Sequence, residues 1–147
     1  MAANIQAYLE NLQQPWGQIY YDILFDQLQD IKGKRVLDFG SGFGLVANHL
    51  AKDNEVLAVE PNQEMVALRA QEHPYQQFVG SLDQLASLED ASFEVILCHN
   101  VLEYVGNRES VLKAFTRLLK PGGLLSIVKH NEVGRVLQTV VFENDPQ

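Results

Sequence analysis

Three glycines within five residues follow directly on an apolar run, Val36-Leu37-Asp38-Phe39-Gly40-Ser41-Gly42-Phe43-Gly44, and a helix-forming run from Leu45 to Lys52 comes next. A chain that passes from an extended apolar segment through glycines into a helix has few folds open to it. The small residues allow a tight strand-to-helix turn, whose backbone N–H groups can approach a ligand at the helix N-terminus. A second apolar run, Val56-Leu57-Ala58-Val59, ends in Glu60, twenty residues after Gly40. A carboxylate at that distance can accept both hydrogen bonds of a ribose diol. Strand, glycine turn, helix, strand and acid together predict a nucleotide-type site in a parallel sheet.

The glycine spacing separates two classes of ligand. A dinucleotide fingerprint needs G-x-G-x-x-G, its third glycine serving close helix–strand packing. Here the third glycine is Gly44, one residue early, and position 45 is Leu. Asp38 puts a carboxylate at the strand's carboxyl end, where it would repel a pyrophosphate and suit an ammonium or a sulfonium. Both features point away from NAD and an NAD-dependent oxidoreductase. They point towards S-adenosylmethionine, which carries a ribose, an ammonium and a sulfonium but no phosphate.

At these residues the chain resembles the class I, Rossmann-like S-adenosylmethionine-dependent methyltransferases. The resemblance continues through Ala58-Val59-Glu60-Pro61-Asn62, with Asn62-Gln63-Glu64-Met65 opening the next helix. It runs on through the fourth-strand block Phe93 to Val105 and through Leu118-Leu119-Lys120-Pro121-Gly122-Gly123-Leu124-Leu125. Four ordered motifs at family spacing cover roughly residues 34–130. The resemblance implies that Gly40, Ser41, Gly42 and Gly44 shape the turn against the methionine portion, with Asp38 facing its amino group. Glu60 would hold the ribose, and Pro61 and Asn62 would lie near the adenine. Ser81 and Leu82, after the third strand, match where the family contacts the adenine ring, and His99 would touch the cofactor. Asp83 would either accept from the adenine amino group or cap the next turn.

A second, narrower resemblance runs from His99 to Asn131, which is similar to the tRNA carboxymethoxyuridine methyltransferase group in its His-x-Val-Leu-Glu, Leu-x-Pro-Gly-Gly and Asn segments. That group grips its cofactor with an arginine before the first strand, where this chain offers Tyr20. The formal charge of −8 weighs against a nucleic-acid partner, because phosphate neutralisation needs clustered Lys and Arg. The one basic cluster, Lys32, Lys34 and Arg35, reads as a solvated turn.

At 147 residues the chain predicts one domain, 1–147, with an N-terminal helical lid at 1–31 and a cofactor-binding core at 34–130. Helices are expected at 3–14 and 18–30, broken at Pro15-Trp16-Gly17, then at 43–52, 62–72, 82–87 and 107–119. Strands are expected at 34–39, 55–60, 76–79, 93–98 and 123–129. This alternation predicts an α/β fold: a Rossmann-like, doubly wound parallel sheet of about five strands, with ligands beyond the strands' carboxyl ends. Trp16, Tyr20 and Tyr21 would either line the lid or serve only as packing. Set against the family's usual fold, the chain lacks the last strands. That leaves the fifth strand as an apolar sheet edge and predicts a homodimer or a segment exchange that covers it. After it, Asn131 to Phe142 would form at most a short helix before a polar tail.

No run of eighteen apolar residues exists, so no membrane span is expected, and Met1 to Glu10 lacks the pattern of a secretory leader. A single cysteine, Cys98, fits a reducing cytoplasm and reads as a buried structural thiol. His49, His73 and His130 show no metal-ligand spacing. The expected function is therefore cytoplasmic methyl transfer from S-adenosylmethionine to a small molecule. The alternatives are a tRNA wobble-uridine methyltransferase and a cofactor-binding module without catalysis. No residue identifies the acceptor or a catalytic base, and a hydroxyl or weakly acidic carbon would need a base whereas a carboxylate would not.

Overall fold

The computed structural model describes residues 2–129, with side chains described from Ile5 onward. The predicted segment at 131–142 and the polar tail lie outside the described residues. Two helices, α1 (Ala2–Leu12) and α2 (Pro15–Gln27), precede the alternating core. The core runs β1 (Arg35–Phe39), α3 (Leu45–Ala51), β2 (Glu55–Glu60), α4 (Gln63–Ala67), β3 (Gln76–Val79), α5 (Leu82–Leu85), β4 (Phe93–His99), α6 (Arg108–Leu118) and β5 (Leu119–Val128). A single 3₁₀ turn at Leu102–Tyr104 links β4 to α6. The five strands form one sheet in the order β3-β2-β1-β4-β5, and every neighbouring pair is parallel. The α/β Rossmann-like fold expected from the sequence is borne out.

Both faces of the sheet are covered, so its central strands read as near-continuous apolar runs. Alternation along each strand still sorts their side chains. Leu37, Phe39, Leu57, Val59, Ile96 and Cys98 face α5 and α6, meeting Leu85, Val111, Phe115 and Leu118. Val36, Val56, Ala58, Val95 and Leu97 face the other way, against Leu24 of α2, Leu28 just after it, and Val46, Ala47 and Leu50 of α3. Cys98 is fully buried in the first cluster, and burial pushes its thiol up to about 11. That agrees with a structural thiol.

Element boundaries shift from expectation by a few residues along the chain, and three of the shifts have a visible cause. The first helix pair breaks at Gln13-Gln14 rather than at Pro15-Trp16-Gly17, because Pro15 sits in the first turn of α2, where its missing N–H costs nothing. The helix expected at 62–72 stops at Ala67: the Ala70 N–H donates to the Phe43 carbonyl at 2.8 Å instead of continuing the helical ladder. The fifth strand begins at Leu119 rather than 123, because Leu119 already pairs with Phe93. An irregularity follows, and Leu124 pairs with Val95 beyond it. Of the basic cluster, Arg35 lies over the Phe93 ring at 4.8 Å and 3.7 Å from the Glu55 carboxylate, a local structural role.

Gly44 is the residue on which the turn into α3 depends. It adopts φ +70°, and a Cβ there would lie 2.4 Å from the Tyr75 hydroxyl oxygen. Gly44→Ala is expected to cost about 1–2 kcal/mol from the left-handed backbone alone, plus the collision. Adding Tyr75→Phe should return part of the loss, because the colliding atom is the hydroxyl. Thermal melts of the single and double variants test this. Equal melting temperatures for Gly44→Ala and the parent would show that the turn relaxes freely.

Candidate functional site

The strand order runs from β1 outward through β2 to β3 and then switches to the other side of β1 at β4, so a crevice opens at the carboxyl ends of β1 and β4, with the end of β2 beside it. Alternation then decides which end residues share it. Asp38 follows Val36, Glu60 follows Ala58 and His99 follows Leu97 at two-residue spacing, which puts all three on the sheet face covered by α2 and α3. A cavity of about 560 Å³ lies there. Its lining includes Asp38, Gly40, Ser41, Gly42, Glu60, Pro61, Ser81 and His99, eight of the ten residues expected from the sequence.

The other two are placed differently. Gly44 caps α3 and packs on Tyr75, and Leu82 packs against the core on the α5–α6 face. Neither lines the cavity. Asp83 accepts a hydrogen bond from the Ser81 N–H at 2.8 Å, which makes it a turn cap. Tyr20 and Tyr21 line the cavity, whereas Trp16 does not and is 57% exposed. Sequence reasoning missed Tyr8, Met65, Val101 and Tyr104, all of them lining residues. Tyr8 comes from α1, distant in the chain, and carries no local motif, whereas Tyr104 closes the fourth-strand block quoted above.

Four N–H groups of the glycine turn are used inside the protein. The Gly40 and Ser41 N–H groups donate to the Val59 carbonyl at 2.8 and 3.1 Å, and the Gly44 N–H donates to the Ser41 carbonyl at 2.9 Å. The Gly42 N–H donates to Glu60 Oε1 at 2.9 Å, and Glu60 Oε2 accepts from the Asn62 N–H, also at 2.9 Å. Glu60 thus ties the loop after β1 to the turn after β2. Each of its oxygens has one lone-pair site in use and another still available.

Asp38 is 4% exposed and has no salt-bridge partner among the described residues. Burial, reinforced by the nearby Glu60 charge, pushes its carboxyl up to about 7. His99 makes one side-chain bond, Nε2 to the Ser126 hydroxyl at 2.8 Å, while its buried Nδ1 has no partner. Burial lowers its pKa to about 4, so the ring is neutral at physiological pH. Asn100, at φ +59°, donates from its N–H to the Val128 carbonyl and from Nδ2 to the Tyr20 hydroxyl at 3.0 Å. This last bond ties α2 to the end of β4.

The residues fit a cationic nucleoside and do not fit a phosphate. The Gly40, Ser41, Gly42 and Gly44 amides are spent inside the protein, two carboxylates face the cavity, and no Lys or Arg lines it among the described residues. A phosphate group would meet two carboxylates and no cationic side chain among the described lining residues. An ammonium or sulfonium would instead return Asp38 to its ionised form.

Comparison with known proteins agrees with this geometry. A model of the methyltransferase domain family matches residues 37–127. The ubiquinone biosynthesis O-methyltransferase of Xanthomonas oryzae pv. oryzae is 35% identical over 103 residues, covering 65% of this chain and 43% of that protein. Its counterpart in Paracidovorax citrulli is 35% identical over 127 residues, covering 80% of this chain and 53% of that protein. The chain thus spans about half the length of the curated relatives it matches. A TehB-like SAM-dependent methyltransferase from Corynebacterium glutamicum superimposes with a TM-score of 0.68 at 23% identity, covering 86% of this chain and 71% of that one. A Methanococcus maripaludis structure assigned to the same enzyme class reaches 0.74 at 17% identity, covering 99% and 72%. These two structural likenesses show the fold.

Proposed function

The chain belongs to the class I, Rossmann-like S-adenosylmethionine-dependent methyltransferases, and from that membership we propose that it transfers a methyl group from S-adenosylmethionine to a small-molecule acceptor. The observation that carries this reading is the internal use of the glycine-turn amides beside two buried carboxylates. A cradle of that kind selects positive charge and a ribose, not a pyrophosphate.

Each residue's part follows from its surroundings. The Asp38 carboxylate would hold the cofactor's ammonium, and Glu60 would accept from the ribose hydroxyls with the lone pairs its backbone bonds leave unused. Gly40, Ser41 and Gly42 would wall the methionine portion, while Pro61, Met65 and Ser81 would flank the adenine. When bound, S-adenosylmethionine supplies an electrophilic methyl group on sulfur. The protein's own work is then to align the acceptor in line with that methyl and to keep water out.

The relatives named above are O-methyltransferases of ubiquinone biosynthesis, which favours a small organic acceptor here. A tRNA acceptor is less well supported, because the charge of −8 and the cation-free cavity both oppose a polyanion. The reading includes a cytoplasmic location, supported by a single, buried cysteine. Among the described residues, no helix is long and apolar enough to cross a membrane. It also includes a homodimer through β5, one of the two edge strands of the described sheet, where Leu124 and Ile127 are 52% and 42% exposed. Light scattering of the eluting peak should give twice the chain mass; a dilute monomer would remove the dimer and leave the methyltransferase reading intact.

Calorimetry tests the ligand. S-adenosylmethionine and S-adenosylhomocysteine are expected to bind and NAD is not. Binding of NAD alone would overturn the proposal. Release of labelled product across an acceptor panel then separates an enzyme from a binding module.

A further inference from the structure

The two N-terminal helices are held to the core unequally. For α2 there are three ties: Leu24 is buried in the core cluster beneath it, Phe25 stacks on His49 of α3 at 3.8 Å, and the Tyr20 hydroxyl takes the bond from Asn100. By contrast, no described residue of α1 belongs to either core cluster. Its main contacts beyond α2 are with α4 and with the glycine turn, where Tyr8 stacks on Phe43 with centroids 5.8 Å apart. Yet α1 supplies two walls of the cavity, Tyr8 and Leu12, and Leu12 is buried. An element with so little apolar packing of its own opens at low free-energy cost.

What seats α1 over the cavity is its corner with α2. Gln13-Gln14 joins the two helices, and Gln18 Nε2 donates back to the Gln13 carbonyl at 3.1 Å. Gly17, in the first turn of α2, is buried against the backbone of Leu12. A Cβ there would lie 2.7 Å from the Leu12 carbonyl carbon and 2.9 Å from its Cα, with the carbonyl oxygen closer still. The obstacle is backbone, so no change of rotamer relieves it and only glycine allows this approach. Any side chain at 17 therefore displaces Leu12, and with it the helix that carries Tyr8 one turn away. We infer that α1 alone is the moving wall of the cavity, swinging at Gln13-Gln14 to admit and release the nucleoside, and that Gly17 is the positioning residue that sets its closed seat. Residues 1–31, expected above as one lid, then divide into a fixed wall, α2, and a hinged one, α1. This inference rests on the methyltransferase reading and deepens it, because it names what retains the cofactor in that site.

Association and release of S-adenosylhomocysteine, followed on the immobilised intact chain, test the wall. Gly17→Ala should release the ligand at least tenfold faster than the parent, with association no slower. Tyr8→Ala should also speed release, and combining the two should add little, because both act through the seat of α1. A merely structural role for Gly17 would lower the melting temperature and leave release from the folded complex unchanged. Hydrogen exchange of the parent is a second measurement, which keeps the test open if Gly17→Ala does not fold. Amides of Gln6 to Leu12 should exchange quickly in the free protein and at least tenfold more slowly with S-adenosylhomocysteine, while those of Tyr21 to Leu24 stay slow in both. Parent-like release from either variant, α1 amides indifferent to the ligand, or α1 and α2 amides slowing together would each overturn the moving wall. Failure of S-adenosylhomocysteine to bind the parent would instead overturn the cofactor reading beneath it.

Discussion

Asp38→Asn is expected to make the ligand-free protein more stable at pH 8 and, in the same variant, to weaken its hold on S-adenosylmethionine. Burial raises the native carboxyl from 3.8 to about 7. Between those values the native state carries a proton that the unfolded chain has lost, so stability falls as pH rises. The contribution is fully present below about pH 4 and is gone above the native value. That interval is worth at most about 4 kcal/mol. An uncharged amide of the same shape should recover a good part of it, seen as a melting temperature several degrees higher at pH 8. At pH 4 the two proteins should melt together.

Binding should show the reverse dependence. A cationic ligand prefers ionised Asp38, so below pH 7 its binding must release a proton, and affinity should rise with pH until about 7 and then level. Calorimetry in buffers of different ionisation enthalpy measures that proton directly. In Asp38→Asn the proton release should vanish, and the affinity at pH 8 should fall roughly ten- to hundredfold, as expected for a lost charge-assisted bond. An unchanged proton count in the variant would assign the proton to another group and remove Asp38 from the ligand's first contacts.

Much of this site is written locally in the chain. Two-residue alternation from apolar positions already places Asp38, Glu60 and His99 on one face, and parallel strands bring their ends together. The glycine spacing and the acid before it exclude a pyrophosphate without any coordinates. What the local pattern does not carry is pairing between distant residues. His99 meets Ser126 across the β4–β5 register, and Tyr20 meets Asn100 from a helix 80 residues earlier in the chain. Neither pair has a periodicity to betray it. The short α4 has the same origin, since a carbonyl in the glycine turn takes the amide that would have continued the helix. Leu82 shows the converse: it sits beside Ser81 in sequence, yet it packs against the core on the α5–α6 face.

Glu60→Ala is the other substitution with a large expected effect, and the structure changes what it reports. The sequence alone casts Glu60 as a ribose ligand, whereas its two oxygens also brace the Gly42 and Asn62 amides in the ligand-free protein. Removing the carboxylate therefore loosens the turn and strips the ribose contacts at once. The first effect should cost about 1–3 kcal/mol of stability, because two amides lose their acceptors. The second should weaken S-adenosylmethionine by about 2–4 kcal/mol, or roughly 30- to 1000-fold. A 2′-deoxy analogue of S-adenosylhomocysteine separates them. If Glu60 accepts from the ribose, the parent protein should prefer the hydroxylated ligand strongly and Glu60→Ala should barely distinguish the two. If it is only a brace, the variant will bind both ligands more weakly by the same factor, and the discrimination will survive. Glu60→Gln provides the intermediate case: one carbonyl oxygen can still accept from a single amide, but its NH₂ faces the other, so stability should fall between the parent and Glu60→Ala.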